Sequence, residues 1–393
     1  MVRLCAKLRV LFFVSNVLYL VPCRYCRKEN KFKVNPYLSL LAFGINISLA
    51  SVHLCFDWLQ IWNGERRDAS RIFNFLQMLH TLTLPVTIVY MHLIAFTKRV
   101  RITALFNALF TDRSWRFFGD RSNSWYESSR WLGRFATAIT IGTMLYLSLL
   151  ILSQYNSSTK FPLYVTILEA VRVYVTMIAI LIYIVCVLVV KMHFRQLQDR
   201  VEQFGASVNT ARQWCLIVDR YGAAVNLVNE INHIFSELLL VMLVQVQVQL
   251  CCQYFILFCS TVDGLVPIVT GLTVLHTQLW ESLFLLMLLV VGYACDSCHN
   301  QIQDVNVAVR NNVGSLNMQR VEARKWIDRF LLQKLSQTNQ QRFMAGGLFV
   351  LDNKLVCTAL TSMITYLVIL IQFRKYDFED YVVTFRNDSN ISF

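Results

Sequence analysis

Near the end of the chain, Thr358, Thr361, Thr365, Val368 and Gln372 recur at spacings of three, four, three and four. Such spacing places them on one face of a helix. Polar side chains are costly in lipid, so the stripe is expected to face protein or water. Two readings stand. The hydroxyls pack against a neighbouring helix, or several copies around an axis form a hydroxyl-lined conduit capped by a ring of Gln372. Phe373 follows directly. A ring of Phe side chains blocks ions, because water leaves a narrow apolar constriction.

Other residues offer binding chemistry. Glu169 and Arg172 stand three residues apart within an apolar run and can pair on a helix surface. An intramembrane pair faces the protein interior or a water-filled cavity, so it is either a structural ion pair or a ligand contact. Glu281 has no obvious partner in its own segment. His80, Tyr146, Tyr164, Tyr174, Gln249, Gln253 and His276 lie at outer-half depth in apolar segments. Aromatic walls with a few polar groups suit a small organic ligand, although each residue taken singly also fits plain packing.

Metal and catalytic chemistry find little support. Cys295-Asp296-Ser297-Cys298-His299 has the spacing of a haem-attachment motif, but it sits at the inner end of a membrane helix. With Cys23-x-x-Cys26 it offers four thiols on one side, the number a zinc site needs, yet nothing joins the two pairs. No phosphate-binding glycine loop, His-Glu-x-x-His or nucleophile elbow occurs. Enzyme, cofactor and metal readings are therefore set aside.

The elements that must position these residues are membrane helices. The chain has 393 residues, 56% hydrophobic and 16% charged, against roughly 45–50% and 25% in soluble domains. Seven runs are long enough to span a bilayer: Leu38–Phe56, Phe75–Phe96, Phe135–Ser153, Tyr164–Val190, Leu238–Val262, Leu265–Ala294 and Leu355–Phe373. The alternation Val244-Gln245-Val246-Gln247-Val248-Gln249 reads locally as a strand. An open strand in lipid leaves backbone groups unpaired, so a helix is expected there. The net charge of +13 sits between the apolar blocks. That placement is a membrane-topology signal, and no nucleic-acid motif accompanies it. The twelve cysteines form no disulfide framework, since several lie inside apolar runs.

Lys and Arg distribution sets the orientation. Segments on the N-terminal side carry 8, 8, 5 and 7, or 28 in all, and the alternate segments carry 3, 1, 0 and 3, or 7. The basic side is the cytoplasm, so the N-terminus is expected inside and the C-terminus outside. Sequons at Asn156, Asn387 and Asn390 fall on the expected outer side, whereas a fourth at Asn46 lies within the first span.

Val10–Val21, preceded by Arg3, Lys7 and Arg9, mimics a signal peptide but lacks a small-residue cleavage site. It is expected to be an interfacial or partly inserted helix. Val218, Tyr221, Val225, Val228 and Phe235 form an apolar helical stripe, read as continuing the fourth span into the cytoplasm. Val321–Leu335 also looks helical. Such helices either pack into a cytoplasmic platform or lie on the membrane surface. The expected organisation is a cytoplasmic segment 1–36, spans one to four in 37–190 and a cytoplasmic helical extension 191–236. Spans five and six in 237–294 follow, then a loop with anchor helices in 295–346, a seventh helix in 347–373 and an extracellular tail 374–393.

Thr365-Tyr366, five hydrophobic residues and Gln372-Phe373 resemble the signature of the last transmembrane helix of insect gustatory receptors. Ala345-Gly346-Gly347-Leu348-Phe349-Val350-Leu351-Asp352 leads into it in a way similar to that family. The resemblance implies an all-α membrane protein with seven helices, a cytoplasmic N-terminus and an extracellular C-terminus. It further implies a tetrameric, ligand-gated, non-selective cation channel whose seventh helix lines the pore, as a homotetramer or a heteromer with related receptors. The implied partners are a small-molecule tastant and the lipid bilayer. The implied place is the plasma membrane of gustatory-neuron dendrites. Sugar-sensing members carry Glu directly after the Thr-Tyr pair. Leu367 stands there, which turns the expectation toward bitter or aversive compounds.

Two other classes fit the sequence less well. A G-protein-coupled receptor has seven spans, but the opposite orientation and a cytoplasmic tail. A secondary transporter is expected to show paired repeats and broken helices, and neither is visible.

Overall fold

A computed structural model describes residues 2–26, 28–62, 71–111, 123–156, 163–205, 211–262, 271–315, 325, 328–330 and 341–389. The fold is all-α apart from two short hairpins. Among the described residues, six helices have the length and apolar composition to cross a membrane, and Pro36–Val52 is a shorter apolar stretch.

Two helices open the chain, α1 (Val2–Lys7) and α2 (Arg9–Val17). Leu4, Leu8 and Leu11 are buried, while Phe13 and Val17 are exposed. This two-faced pattern fits the interfacial expectation on its outer side only. The inner side is part of the protein core: Phe12 makes edge-on ring contacts with Phe32, Phe106 and Phe110 at 5.4, 5.8 and 5.3 Å. A hairpin of β1 (Arg24–Cys26) and β2 (Lys31–Lys33) follows. It is fastened to α5 (Arg99–Phe110) by Asn107, whose side chain accepts from Phe32 N at 2.7 Å and donates to Phe32 O at 3.0 Å.

The spans are carried by α3 (Pro36–Trp62), α4 (Arg71–Thr97), α6 (Asn123–Asn156), α7 (Leu163–Gly205), α8 (Ala211–Val262), α9 (Gly271–Ser315) and α10 (Asn353–Ser389). Asn46 lies within α3, and its amide donates to Ala42 O at 2.9 Å. The central helix is α7: 89% of its apolar window from Ala170 to Gln203 is buried, against 6% of the window Asn353–Phe373 in α10.

Three helices outrun the bilayer at the basic end. α8 alone has 52 residues, about 78 Å at 1.5 Å per residue. The apolar stripe from Val218 to Phe235 belongs to α8, which continues into the fifth span. This corrects its assignment to the helix of the fourth span. α7 ends at Gly205 and α8 begins at Ala211, upstream of the stripe. All five stripe residues are buried. Tyr221 shows why: its hydroxyl donates to Asn306 Oδ1 of α9 at 3.2 Å, and its ring meets Phe194 of α7 at 5.9 Å and Phe330 at 4.6 Å. These inner extensions pack on one another. Most of Val321–Leu335 lies outside the described residues.

The approach to α10 is a second hairpin, β3 (Met344–Ala345) and β4 (Phe349–Val350). Its turn holds Gly346 at φ +60° and Gly347 at φ +69°, a left-handed region in which glycine carries no Cβ penalty. α10 itself runs on past Phe373 to Ser389, so most of the predicted tail is helical.

Candidate functional site

α10 has two distinct faces. Its half-buried side carries Leu367, Leu370 and Ile371, which pack against the cluster of Leu76 from α4 and Cys252 and Phe255 from α8. The opposite side holds Thr358, Thr361, Thr365, Val368, Gln372 and Phe373, all exposed, as is Tyr366. The predicted stripe therefore lies together on the face turned away from the rest of the chain.

The hydroxyls on that face are already satisfied. Thr358, Thr361 and Thr365 donate to the carbonyls of Lys354, Cys357 and Thr361 at 2.9, 2.9 and 3.0 Å. Bonding back to the i−4 carbonyl lowers the cost of a Thr in lipid. The stripe is thus less strongly driven toward water than its composition alone implies. Gln372 lies on the same exposed face and carries the largest polar group of the stripe.

Among the predicted ligand residues, two hydrogen bonds to backbone carbonyls are described, and the first joins two of those residues. Gln249 Nε2 of α8 donates to His80 O of α4 at 2.9 Å, and Tyr174 Oη of α7 donates to Thr140 O of α6 at 3.5 Å. No described hydrogen bond joins Gln249 or His80 to Tyr174. Tyr146 is half-buried, and its hydroxyl has no partner among the described residues. Arg172 is buried and Gln253 half-buried. The side chains of Tyr164, Glu169, His276 and Glu281 lie outside the described ones, so the Glu169–Arg172 pairing does too. The same holds for the side chains of Asn156 and Asn387 and for Asn390 altogether.

Two polar residues deep in the bundle escaped sequence reasoning. Gln245 is 0% exposed and His92 is 2% exposed. Neither amide atom of Gln245, nor His92 Nδ1, has a hydrogen-bond partner among the described residues. Gln245, Gln249 and Gln253 follow one another at i+4 along α8, so they share a face. The strand-like alternation of that stretch hid the pattern. Gln247 points elsewhere, donating to Ser362 Oγ of α10 at 3.3 Å.

A separate cavity of about 330 Å³ lies at the inner ends of α6 and α7, lined in part by Trp131, Leu188, Lys191 and Arg195. None of the predicted ligand residues lines it.

The cysteine motifs serve packing. Cys295 and Cys298 are buried between α7 and α9, with Tyr183 Oη 3.2 Å from Cys295 Sγ. Burial pushes the Cys23 thiol up to about 12, which keeps it protonated at neutral pH. Among the described residues, no group of three or more His, Cys, Asp or Glu is placed to hold a metal ion.

Comparison with known proteins agrees with this architecture. No curated protein sequence matches the chain. Two solved structures of the insect olfactory receptor OR5 from Machilis hrabei share the fold. One, in complex with eugenol, superposes with a TM-score of 0.67 at 13% identity, covering 94% of this chain and 99% of the other. The other gives a TM-score of 0.69 at 12% identity, covering 93% and 99%. A profile described as 7tm chemosensory receptor matches residues 8–377. With a match across residues 8–377, nearly its whole length, this chain belongs to the 7tm chemosensory receptor family.

Proposed function

We propose that the chain is a gustatory receptor that works as a ligand-gated, non-selective cation channel in the plasma membrane of taste neurons. The observation that carries this reading is the division of α10. One face packs on α4 and α8, and the other presents Thr358, Thr361, Thr365, Val368 and Gln372 beyond the chain. An apolar helix whose span is 6% buried gains from association with further copies. Four copies with these faces turned inward enclose a conduit lined by hydroxyl and amide groups, with Phe373 as an apolar constriction at its outer end.

The ligand is a small organic molecule held among the helices outside the pore. Eugenol, bound in a related olfactory receptor structure, is of this size class. Gln245, Gln249 and Gln253, with His80, Tyr146, Tyr174 and Arg172, supply the polar and aromatic groups. Leu367, where sugar-sensing members carry Glu, favours bitter or aversive tastants. Binding shifts the population toward the open state by no more than the ligand's preference for that state.

Expression of the chain alone in cells lacking other chemoreceptors, with whole-cell recording across a tastant panel, tests this. The expected outcome is a rapid cation current evoked by at least one bitter compound. A surface-expressed protein that signals only through G-protein second messengers contradicts it.

A further inference from the structure

The hairpin that leads into α10 is tied to α8 at two residues one helical turn apart. Asn232 Nδ2 donates to Arg342 O at 2.7 Å, and Asn232 Oδ1 accepts from Met344 N at 3.1 Å. Ser236 Oγ accepts from Gly347 N at 3.0 Å, and Ser236 O accepts from Gly346 N at 2.8 Å. Four hydrogen bonds thus join one helix turn to the backbone of residues 342–347. Leu240, the next residue on that face, closes over the turn: a Cβ at Gly346 would lie 2.5 Å from Leu240 Cδ2.

The tie continues into the pore-side helix. Leu351 N donates to Phe343 O at 2.9 Å, closing the hairpin immediately before α10. Asn353, the first residue of α10, donates to Asp296 Oδ2 of α9 at 2.8 Å. A Cβ at Gly292 of α9 would come within 2.7 Å of Val356 Cγ2. The base of α10 is therefore held by its two neighbours through specific contacts, while its outer face is free of the chain.

We propose that Asn232 and Ser236 are positioning residues for gating, a claim that rests on the channel reading above. They convert displacement of α8 into displacement of the base of α10. The physical ground is continuity. Gln249, which bonds α4 at outer depth, and Ser236 lie on the same unbroken helix, thirteen residues or about 20 Å apart. A helix moves over that distance nearly as a rigid rod. Hydrogen bonds to backbone groups transmit its shift more faithfully than apolar contacts, which can slide. Gly346 and Gly347 keep the turn close enough for all four bonds to form.

Two measurements test the proposal without a known ligand. The first is hydrogen–deuterium exchange of purified protein in lipid nanodiscs. Asn232→Ala is expected to speed exchange of the Met344, Gly346 and Gly347 amides at least tenfold. Asn232→Asp keeps the acceptor for Met344 N and loses the donor to Arg342 O, so it is expected to fall between. Unchanged exchange in both variants overturns the clamp.

The second is basal whole-cell current in a Phe373→Ala background, at matched surface expression. Gln249→Ala, which removes the bond to His80 O, is expected to change that current at least threefold when Asn232 is intact. It is expected to change it less than 1.5-fold when Asn232 is Ala. Equal fold-changes in both backgrounds, or no change in either, overturn the transmission. Complete absence of current from Phe373→Ala fails the channel reading and the transmission with it, and the exchange result still decides whether the clamp exists.

Discussion

Gln245 keeps an amide inside the membrane bundle with no described partner for either polar atom. Such a group costs roughly 1–3 kcal/mol of stability relative to an apolar residue of the same shape. Retaining it is understandable where a ligand supplies the missing hydrogen bonds. Gln245→Leu is therefore expected to raise the melting temperature of the ligand-free protein by about 2–4 °C and to weaken the ligand-evoked current. Thermal-shift and recording experiments check both, and a lowered melting temperature with an unaltered response contradicts the assignment. At the other end of the same scale stands Phe373, exposed beside Gln372. Phe373→Ala widens and wets the proposed constriction, so ligand-independent current is expected to rise. Gln372→Glu places carboxylates at the mouth and is expected to alter divalent block. The Gln245–Gln249–Gln253 face is legible from i+4 spacing once the segment is accepted as a helix. The lack of partners around Gln245 is not legible, because it depends on what α4 and α7 present across the bundle.

At the scale of elements, the seven spans could be read because a bilayer imposes a minimum run of apolar residues, and no charge interrupts Phe75–Phe96 or Leu238–Val262. The inner extensions were harder. The stripe at Val218, Tyr221 and Val225 marks a helix, but periodicity does not say which span that helix joins. The continuous run of α8 from Ala211 to Val262 assigns it to the helix of the fifth span. The hairpin before α10 was not legible at all. Its bonds run from Asn232 and Ser236 to backbone groups more than one hundred residues away, and no local pattern encodes them. The two glycines were the available hint. Gly346 combines φ +60° with close approach to Leu240, so Gly346→Ala meets both backbone strain and a clash. A left-handed backbone costs an L-residue about 1–2 kcal/mol, and overpacking adds about 1–3 kcal/mol. Gly346→Ala is expected to reduce surface expression severalfold, measured by surface biotinylation. Gly347 has open space for a Cβ, so Gly347→Ala bears the backbone cost alone and is expected to be milder. Equal effects of the two contradict the role given to Leu240.

For the whole molecule, the charge asymmetry and the fold lead to one arrangement. The long inner helices, rich in Lys and Arg, pack with α1, α2 and the hairpins on the cytoplasmic side, and α10 leads outward. A C-terminal epitope tag is expected to bind antibody on unpermeabilised cells, and an N-terminal tag only after permeabilisation. The reverse result contradicts the orientation. If the exposed face of α10 lines the conducting path, substituted cysteines along it become reactive from that path. Single cysteines at Thr365, Val368 and Gln372, and at Leu367 and Leu370 on the packed face, would be exposed to a small cationic thiol reagent during recording. Modification at 365, 368 and 372 is predicted to change the current promptly, with little effect at 367 and 370. Reaction that leaves the current unchanged at all three exposed positions, or a change confined to 367 and 370, would contradict it.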